Sequence, residues 1–320
     1  MYPTSGASLR GDLNAVVEQG SAADKWFIGA QVLPPTMVAA KSGQYPVLKL
    51  AAAELLSAGA TLRAPGGKYG EVVRAWDSAT YDCQDRGLEE AVDDVVAKDL
   101  GRYFNVESAK ARLCLRNIML DHEARVAAEI FNATTFGAGT NSAVAYTVAN
   151  LATISFIADV LAAIERVNDN GGQANTIVMS STIMNRVKLG TLVQNFVRGS
   201  MPNDATLNVN ATTLAGAFKD NGIERVLIGR ARVNSAKKGQ AYSASNVWGN
   251  TYIWVGDVKS GDVGLGGAGR TLVWNEDGGL FTTETYRDEG RRSNMVRVRQ
   301  NTDEVIVDAT AGTLITTQYS

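Results

Sequence analysis

The sequence predicts an α+β fold, and three observations carry that prediction. Apolar residues recur with helical spacing through about 26 residues, from Asn105 to Phe131. Short strand-like and helix-like patterns alternate between 150 and 268. Strand patterns dominate 44–81 and return from 270 to the end.

The long helix is the strongest signal. Asn105 is a suitable N-cap, and Glu107 lies in the first turn, where the helix dipole favours an acid. Ala111, Leu115, Met119, His122, Val126 and Ile130 fall on one face. Asp121 with Arg125, and Arg125 with Glu129, are i,i+4 pairs on another. A rod of roughly 40 Å suits a spine better than a small compact domain. His122, the single histidine of the chain, lies on the apolar face and reads as a packed residue rather than a catalytic base or metal ligand.

Residues 1–43 read as an irregular arm, apolar in LNAVV and WFIGAQVLPPTMVA but broken by Gly20, Gly29, Pro34 and Pro35. Such a segment is expected to lie across another surface, often another subunit. Residues 44–81 read as a long two-stranded excursion with a turn at Pro65-Gly66-Gly67. It has no single clean apolar face and gains little stability without a covering neighbour.

In the α/β stretch, Ile157, Val160, Leu161 and Ile164 mark a helix stopping near Asn170-Gly171-Gly172. TIVMSS is a buried strand, with Ser181 or Thr182 capping the following helix IMNRVKLGTLVQNF. RVLIG and TYIWVG are further buried strands, and TTLAGAF is a short helix. Beyond 270, TLVWN, LFTTETYR, NMVRVRQ and EVIVDAT read as four strands.

The chain has 320 residues, is 45% apolar and has a net charge of −2, so it has material for a sizeable core and lacks the basic excess of a general nucleic-acid binder. No apolar run reaches the roughly 18 residues of a membrane span, and the first residues lack the pattern of a secretory signal. Cys83 and Cys114 fit no zinc or redox spacing and read as small buried apolar groups, with a disulfide between them left open.

Three stretches invite a chemical reading. GLGGAGR at 264–270 resembles a phosphate loop, but a strand pattern follows where a helix N-terminus is required. YDCQDRGLEEAVDD at 81–94 carries six acids against Arg86 alone. As a calcium loop it has Gln84 and Arg86 at ligand positions, and no partner set makes it an acid–base pair. It reads as a solvated acidic turn or an intersubunit salt-bridge surface. YRDEGRRSNMVRVR gathers Arg287, Arg291, Arg292, Arg297 and Arg299 into a surface for acidic groups or an ordinary solvated face.

The order of parts and the local sequence resemble the major capsid proteins of tailed double-stranded DNA phages, which share the Hong Kong ninety-seven type fold. The resemblance rests on YDCQDRGLEEAVDDVVAKD with NVESAKARLCLRNIMLDHEARVAAEIFN, on NTIVMSSTIMNRVKL, and on NVWGNTYIWV with VIVDATAGTLIT. It implies an N-terminal arm at 1–43, an extended β-hairpin loop at 44–81, a peripheral domain formed by 82–149 and 270–320 with the spine helix, and an axial domain at 150–269. It also implies hexamers and pentamers of identical subunits closing an icosahedral shell. A scaffolding protein, a portal and a decoration protein are the implied partners, with packaged double-stranded DNA held weakly and no membrane.

The location would be the virion, with assembly in the host cytoplasm, and neither a cofactor nor a catalytic reaction is implied. The chain starts directly with the arm, so a fused scaffold segment is expected to be absent or already cleaved, with Met1 favouring absence. Some relatives crosslink a Lys to an Asn. Lys49 and Lys68 lie in the proposed loop, although nothing assigns them such a bond. Assembly contacts are expected at Lys49, Lys68, Arg74, Trp76, Glu89, Glu90, Arg291 and Arg292, the acids of 82–94 meeting a neighbour's arginines. An encapsulin-like compartment is the nearest alternative, and a nucleotide-binding enzyme the remote one.

Overall fold

The structure is a computed structural model describing residues 8–23, 26–47, 61–63, 65–69, 77–137, 140–200, 208–237, 239–274 and 279–319. In chain order come β1 (Ser8–Leu9), α1 (Gly11–Ala23), α2 (Gly29–Val32), β2 (Pro35–Val38), β3 (Ser42–Val47), β4 (Asp77–Asp82), β5 (Gln84–Asp93), α3 (Asp94–Leu100) and the spine α4 (Val106–Ile130). Then follow β6 (Thr140–Asn141), α5 (Phe156–Asp169), β7 (Thr176–Ser180), α6 (Ser181–Leu189), α7 (Thr191–Ser200), α8 (Ala211–Ala217) and β8 (Arg225–Gly229). The last strands are β9 (Arg232–Asn234), β10 (Ala244–Asn246), β11 (Tyr252–Gly256), β12 (Gly269–Trp274), β13 (Thr282–Asp288), β14 (Ser293–Ile306) and β15 (Gly312–Thr316).

The spine forms where the apolar spacing places it. The Asn105 side chain accepts the N–H of Ser108 at 3.0 Å, closing the first turn. All six stripe residues from Ala111 to Ile130 are buried. Leu115, Ile118 and Met119 pack with Val92, Val296 and Val298 on one sheet and with Leu13 and Val17 of α1. Val126, Ala127 and Ile130 pack instead with Ile28, Val32, Leu33, Trp248 and Trp254. Full burial of each large apolar side chain stabilises by about 1.5–3 kcal/mol, so the helix is held by its partners along its whole length.

Beneath the spine lies a six-stranded sheet centred on β14. Its Ser293–Arg299 portion is flanked by β13 and β5, both antiparallel. The portion from Thr302 to Ile306 pairs with β12, which takes β2 as a parallel neighbour. Val296 and Val298 go under the spine while Arg297 and Arg299 face the other way, as the alternation predicts. NMVRVRQ and EVIV are one strand rather than two, because the polar link Asn301-Thr302-Asp303 pairs on as part of the ladder.

Two further expectations are corrected here. The acidic stretch is a ten-residue strand, not a turn. In the ladder Glu89 stands opposite Arg297 of β14, and no acid of the strand faces another acid there. Asp93 ends the strand as N-cap of α3, accepting the N–H of Val95 at 2.8 Å. The arm is not irregular throughout: α1 lays Leu13 and Val17 on the spine of its own chain, and β1 and β2 join the six-stranded sheet.

The second sheet runs β6-β15-β11-β7-β8. β7 and β8 are parallel, and β11 is antiparallel to β7 and β15. Helix α5 ends at Asn170 and Gly171 (φ 82°), as the stop signal predicts. The cap of α6 is Ser180, one residue before the expected pair, its hydroxyl accepting the N–H of Ile183 at 3.2 Å. The helix predicted through 183–196 breaks at Gly190.

Trp254 is fully buried between Gly256 and Gly312, which face each other across β11 and β15; a Cβ on either would stand 2.3 or 2.6 Å from the indole. Two strands of this sheet, Thr140–Asn141 and Gly312–Thr316, come from outside 150–269 and stand together at one end, while β8 forms the other, so a boundary at 269/270 would cut the β11–β15 ladder.

Candidate assembly surface

Most of the expected surface arginines are engaged within the chain. The Arg297 guanidinium donates to Glu89 at 2.9 Å and stacks over Tyr286, whose hydroxyl donates to the same carboxylate. Arg299 donates to Glu284 at 2.9 Å, and Arg287 grips both oxygens of Asp94 at 2.7 Å. These hydrogen bonds hold the Glu89 and Asp94 carboxyls below the usual carboxylate range. Pairs of this kind are screened by solvent, so they order the surface more than they hold the fold.

The expectation that Glu89 awaits a neighbour's arginine is therefore revised, because its counter-charge is Arg297 of its own chain. Glu90 has its nearest cation, Lys110 of the spine, at 4.0 Å. Arg291 is two-thirds exposed and reaches Asp288 at 3.5 Å, and Arg292 turns the β13–β14 hairpin at φ 49°. Lys68 is exposed beside the Pro65-Gly66 turn. Lys49, Arg74 and Trp76 lie outside the described residues. The structure thus gathers Glu89, Glu90, Arg291 and Arg292 around one end of β5 and β14.

Large apolar groups are exposed where the sequence analysis singled out none. Val95 and Val96 on α3, and Tyr103 and Phe104 after it, face solvent, Tyr103 at 81%. No residue of α3 is fully buried. Leu88 of β5 is 45% exposed in the middle of the acidic strand. A sequence signal existed in VV and YF placed beside acids and bases, but periodicity alone does not tell an uncovered face from a core face.

Buried polar groups mark the joints. The Glu123 carboxylate is 1% exposed and accepts the backbone N–H of Gly29 at 2.6 Å, that of Ile28 at 3.0 Å and the indole N–H of Trp248. It ties the arm, the spine and the loop before β11 together. Arg125 donates to both oxygens of buried Glu304, at 2.8 and 3.1 Å. His122 stands 3.7 Å from Glu304 and 3.4 Å from the Thr271 hydroxyl, and burial pushes its pKa down to about 4, so it is neutral at pH 7. Cys83 and Cys114 are free and buried, and burial pushes both thiols up to about 11.

The glycine-rich loop is not a phosphate cradle. The fully buried Arg270 donates to the carbonyls of Gly266 and Gly269 at 2.8 Å, and the chain continues as β12. Among the described residues, no group of three or more His, Cys, Asp or Glu could hold a metal ion, and no helix is long and apolar enough to cross a membrane.

No family model matches the sequence, and no curated protein matches it. Solved structures do. A phage-related protein from Bordetella bronchiseptica is 19% identical with a TM-score of 0.70, covering 97% of this chain and 97% of that one. The capsid structure of cyanophage P-SCSP1u is 13% identical with a TM-score of 0.53, covering 90% and 86%. A virus-like particle from Pyrococcus furiosus is 11% identical with a TM-score of 0.53, covering 96% and 96%. The likeness spans nearly the whole chain and is one of fold: the protein has the Hong Kong ninety-seven type capsid fold of phage capsid proteins.

Proposed function

We propose that this chain is the major capsid subunit of a tailed double-stranded DNA phage, assembling into hexamers and pentamers of an icosahedral shell. The observation that carries the reading is the mutual, near-complete coverage with phage-related and capsid structures. The uncovered Val95, Val96, Tyr103 and Phe104 support it, since a shell subunit keeps apolar surface for its neighbours. Closed symmetry then multiplies contacts that are individually weak.

In this reading the arm is 1–43 and the extended loop 44–81. The peripheral domain is built on the six-stranded sheet and spine, and the axial domain on the five-stranded sheet, including β6 and β15. A scaffolding protein, a portal and a decoration protein are the partners, and the virion, assembled in the host cytoplasm, is the location. A net charge of −2 suits an inner wall that holds packaged DNA loosely. The chain has no catalytic role here.

Purified protein is expected to form large hollow particles in negative-stain electron microscopy. Only monomers or dimers, even with a scaffolding protein co-expressed, would count decisively against the reading. The fold likeness to a virus-like particle favours a second reading, a cellular protein compartment. Particle contents decide between them: nucleic acid for the first, a protein cargo for the second.

A further inference from the structure

Strand β5 is an edge: among the described residues its one neighbour is β14. The phase of that ladder is fixed by Asp94, whose N–H donates to the Arg292 carbonyl at 3.3 Å. In antiparallel register, even-numbered residues from Gln84 to Val92 exchange hydrogen bonds with β14. The N–H and C=O groups of Asp85, Gly87, Glu89 and Ala91 therefore point away from the sheet. Two contacts agree with this phase. The Cys83 N–H points outward to the Lys41 carbonyl at 2.9 Å, and the Ala91 carbonyl points outward to the Lys110 ammonium. Beyond Cys83 the edge is open, with Gln84, Asp85, Gly87, Leu88 and Glu89 exposed.

A long open edge is a template for another strand, and proteins commonly restrict it with charge. Here the charges select a partner. Consider a second copy of β5 laid antiparallel across a two-fold axis, so that outward residues face outward residues. Centred on Gly87, the pairing sets Asp85 against Glu89. Centred on Glu89, it sets that residue against its own copy and Asp85 against Asp93. Centred on Arg86 or Glu90, it again opposes like charges.

Centred on Leu88, no like charges meet. Leu88 faces Leu88, Gly87 faces Glu89, Asp85 faces Ala91, and Arg86 faces Glu90 twice. The exposed Leu88 gains an apolar partner, and Arg86, which has no ion pair of its own among the described residues, gains a carboxylate.

We propose that β5 is a two-fold docking edge, at which two copies of this chain join their six-stranded sheets through antiparallel β5–β5 pairing centred on Leu88. The proposal deepens the shell reading, on which it rests for the presence of many copies. It supplies a contact between subunits related by a local two-fold. Within one chain Arg86 and Glu90 stand about 13 Å apart along the strand and cannot pair with each other, so any charge coupling between them reports a neighbour.

Two experiments test this. Arg86→Glu and Glu90→Arg each create two like-charge pairs across the axis. Each is expected to reduce the yield of intact particles at least ten-fold with an unchanged circular dichroism spectrum, and the double exchange is expected to restore it. Leu88→Cys particles, mildly oxidised, are expected to run mostly as disulfide dimers on a non-reducing gel. Asp85→Cys particles, whose thiols lie far apart in this register, should stay monomeric. The proposal is overturned if Leu88→Cys particles form and remain monomeric, or if the double exchange fails to rescue. If the unaltered chain forms no particles, the shell reading falls, while oxidation of concentrated Leu88→Cys subunits still decides the pairing.

Discussion

Glu123→Leu is expected to destabilise the subunit by about 3–5 kcal/mol, lowering the urea midpoint and exposing the arm to protease. The carboxylate is buried and accepts from Ile28, Gly29 and Trp248. Leucine fills most of the space but leaves three donors without an acceptor, in a core of Val126, Ile130 and Leu33 that water does not reach. An unsatisfied buried group costs about 1–3 kcal/mol, and relief from desolvating a carboxylate offsets part of the total. Glu123→Gln keeps one acceptor oxygen but presents an NH2 to backbone donors, so about 1–2 kcal/mol is expected. Gly29 belongs to the same device, because a Cβ there would stand 2.8 Å from the carboxylate oxygen. If the two variants lost equal stability, the hydrogen bonds would not be the cause.

Neither this joint nor the strand β5 was legible in the sequence, whereas the spine was, and the difference is physical. The spine's determinants are local: a cap at Asn105 and a stripe repeating every three or four residues. The strand's determinants are distant. Glu89 is compatible with a ladder only because Arg297 arrives 208 positions later. Six acids in fourteen residues read as a turn when that partner is invisible. Helix α1 was hidden by Gly20 and recovers its cost through packing against Leu115 of the spine. Glu123 left one trace, a charged residue four positions from buried Met119 and Ala127, on a face where charge has no reason to be unless something accepts it. His122, by contrast, was readable as packed because Leu115, Met119 and Val126 share its face at helical spacing. The exposed Val95 and Val96 were unreadable for the opposite reason. Their partner, in the proposed shell, is another chain.

Arg125→Met is expected to cost about 3–5 kcal/mol at pH 7.5, the range for stranding one member of a buried ion pair. Methionine matches the length of the arginine stem. What is lost is the fork on Glu304, whose side chain is 7% exposed. Burial pushes the Glu304 carboxyl up, and the Arg125 hydrogen bond with the nearby charges outweighs it, so the net shift is downward. A lowered acid contributes stability above its unfolded pKa, near 4.5, that is lost as pH falls through the folded value. Without Arg125 the folded value rises, so Glu304 can be neutralised by mild acid and the variant's deficit shrinks. His122 acts in the same direction. Buried and neutral in the wild type, with a pKa of about 4, it makes the protein lose stability between pH 6.5 and 4, as only the unfolded chain takes up the proton. Burial, the main cause of the low His122 pKa, persists in the variant; Glu304 and Asp121 raise it, Thr271 also faces the ring, and removing Arg125 takes away one charge that lowers it. Urea unfolding at pH 7.5 and pH 5 is therefore expected to show the gap between wild type and Arg125→Met narrowing at the lower pH. A gap independent of pH would assign the loss to packing. Arg125→Lys, which keeps the charge without the two-pronged geometry, should fall between the two.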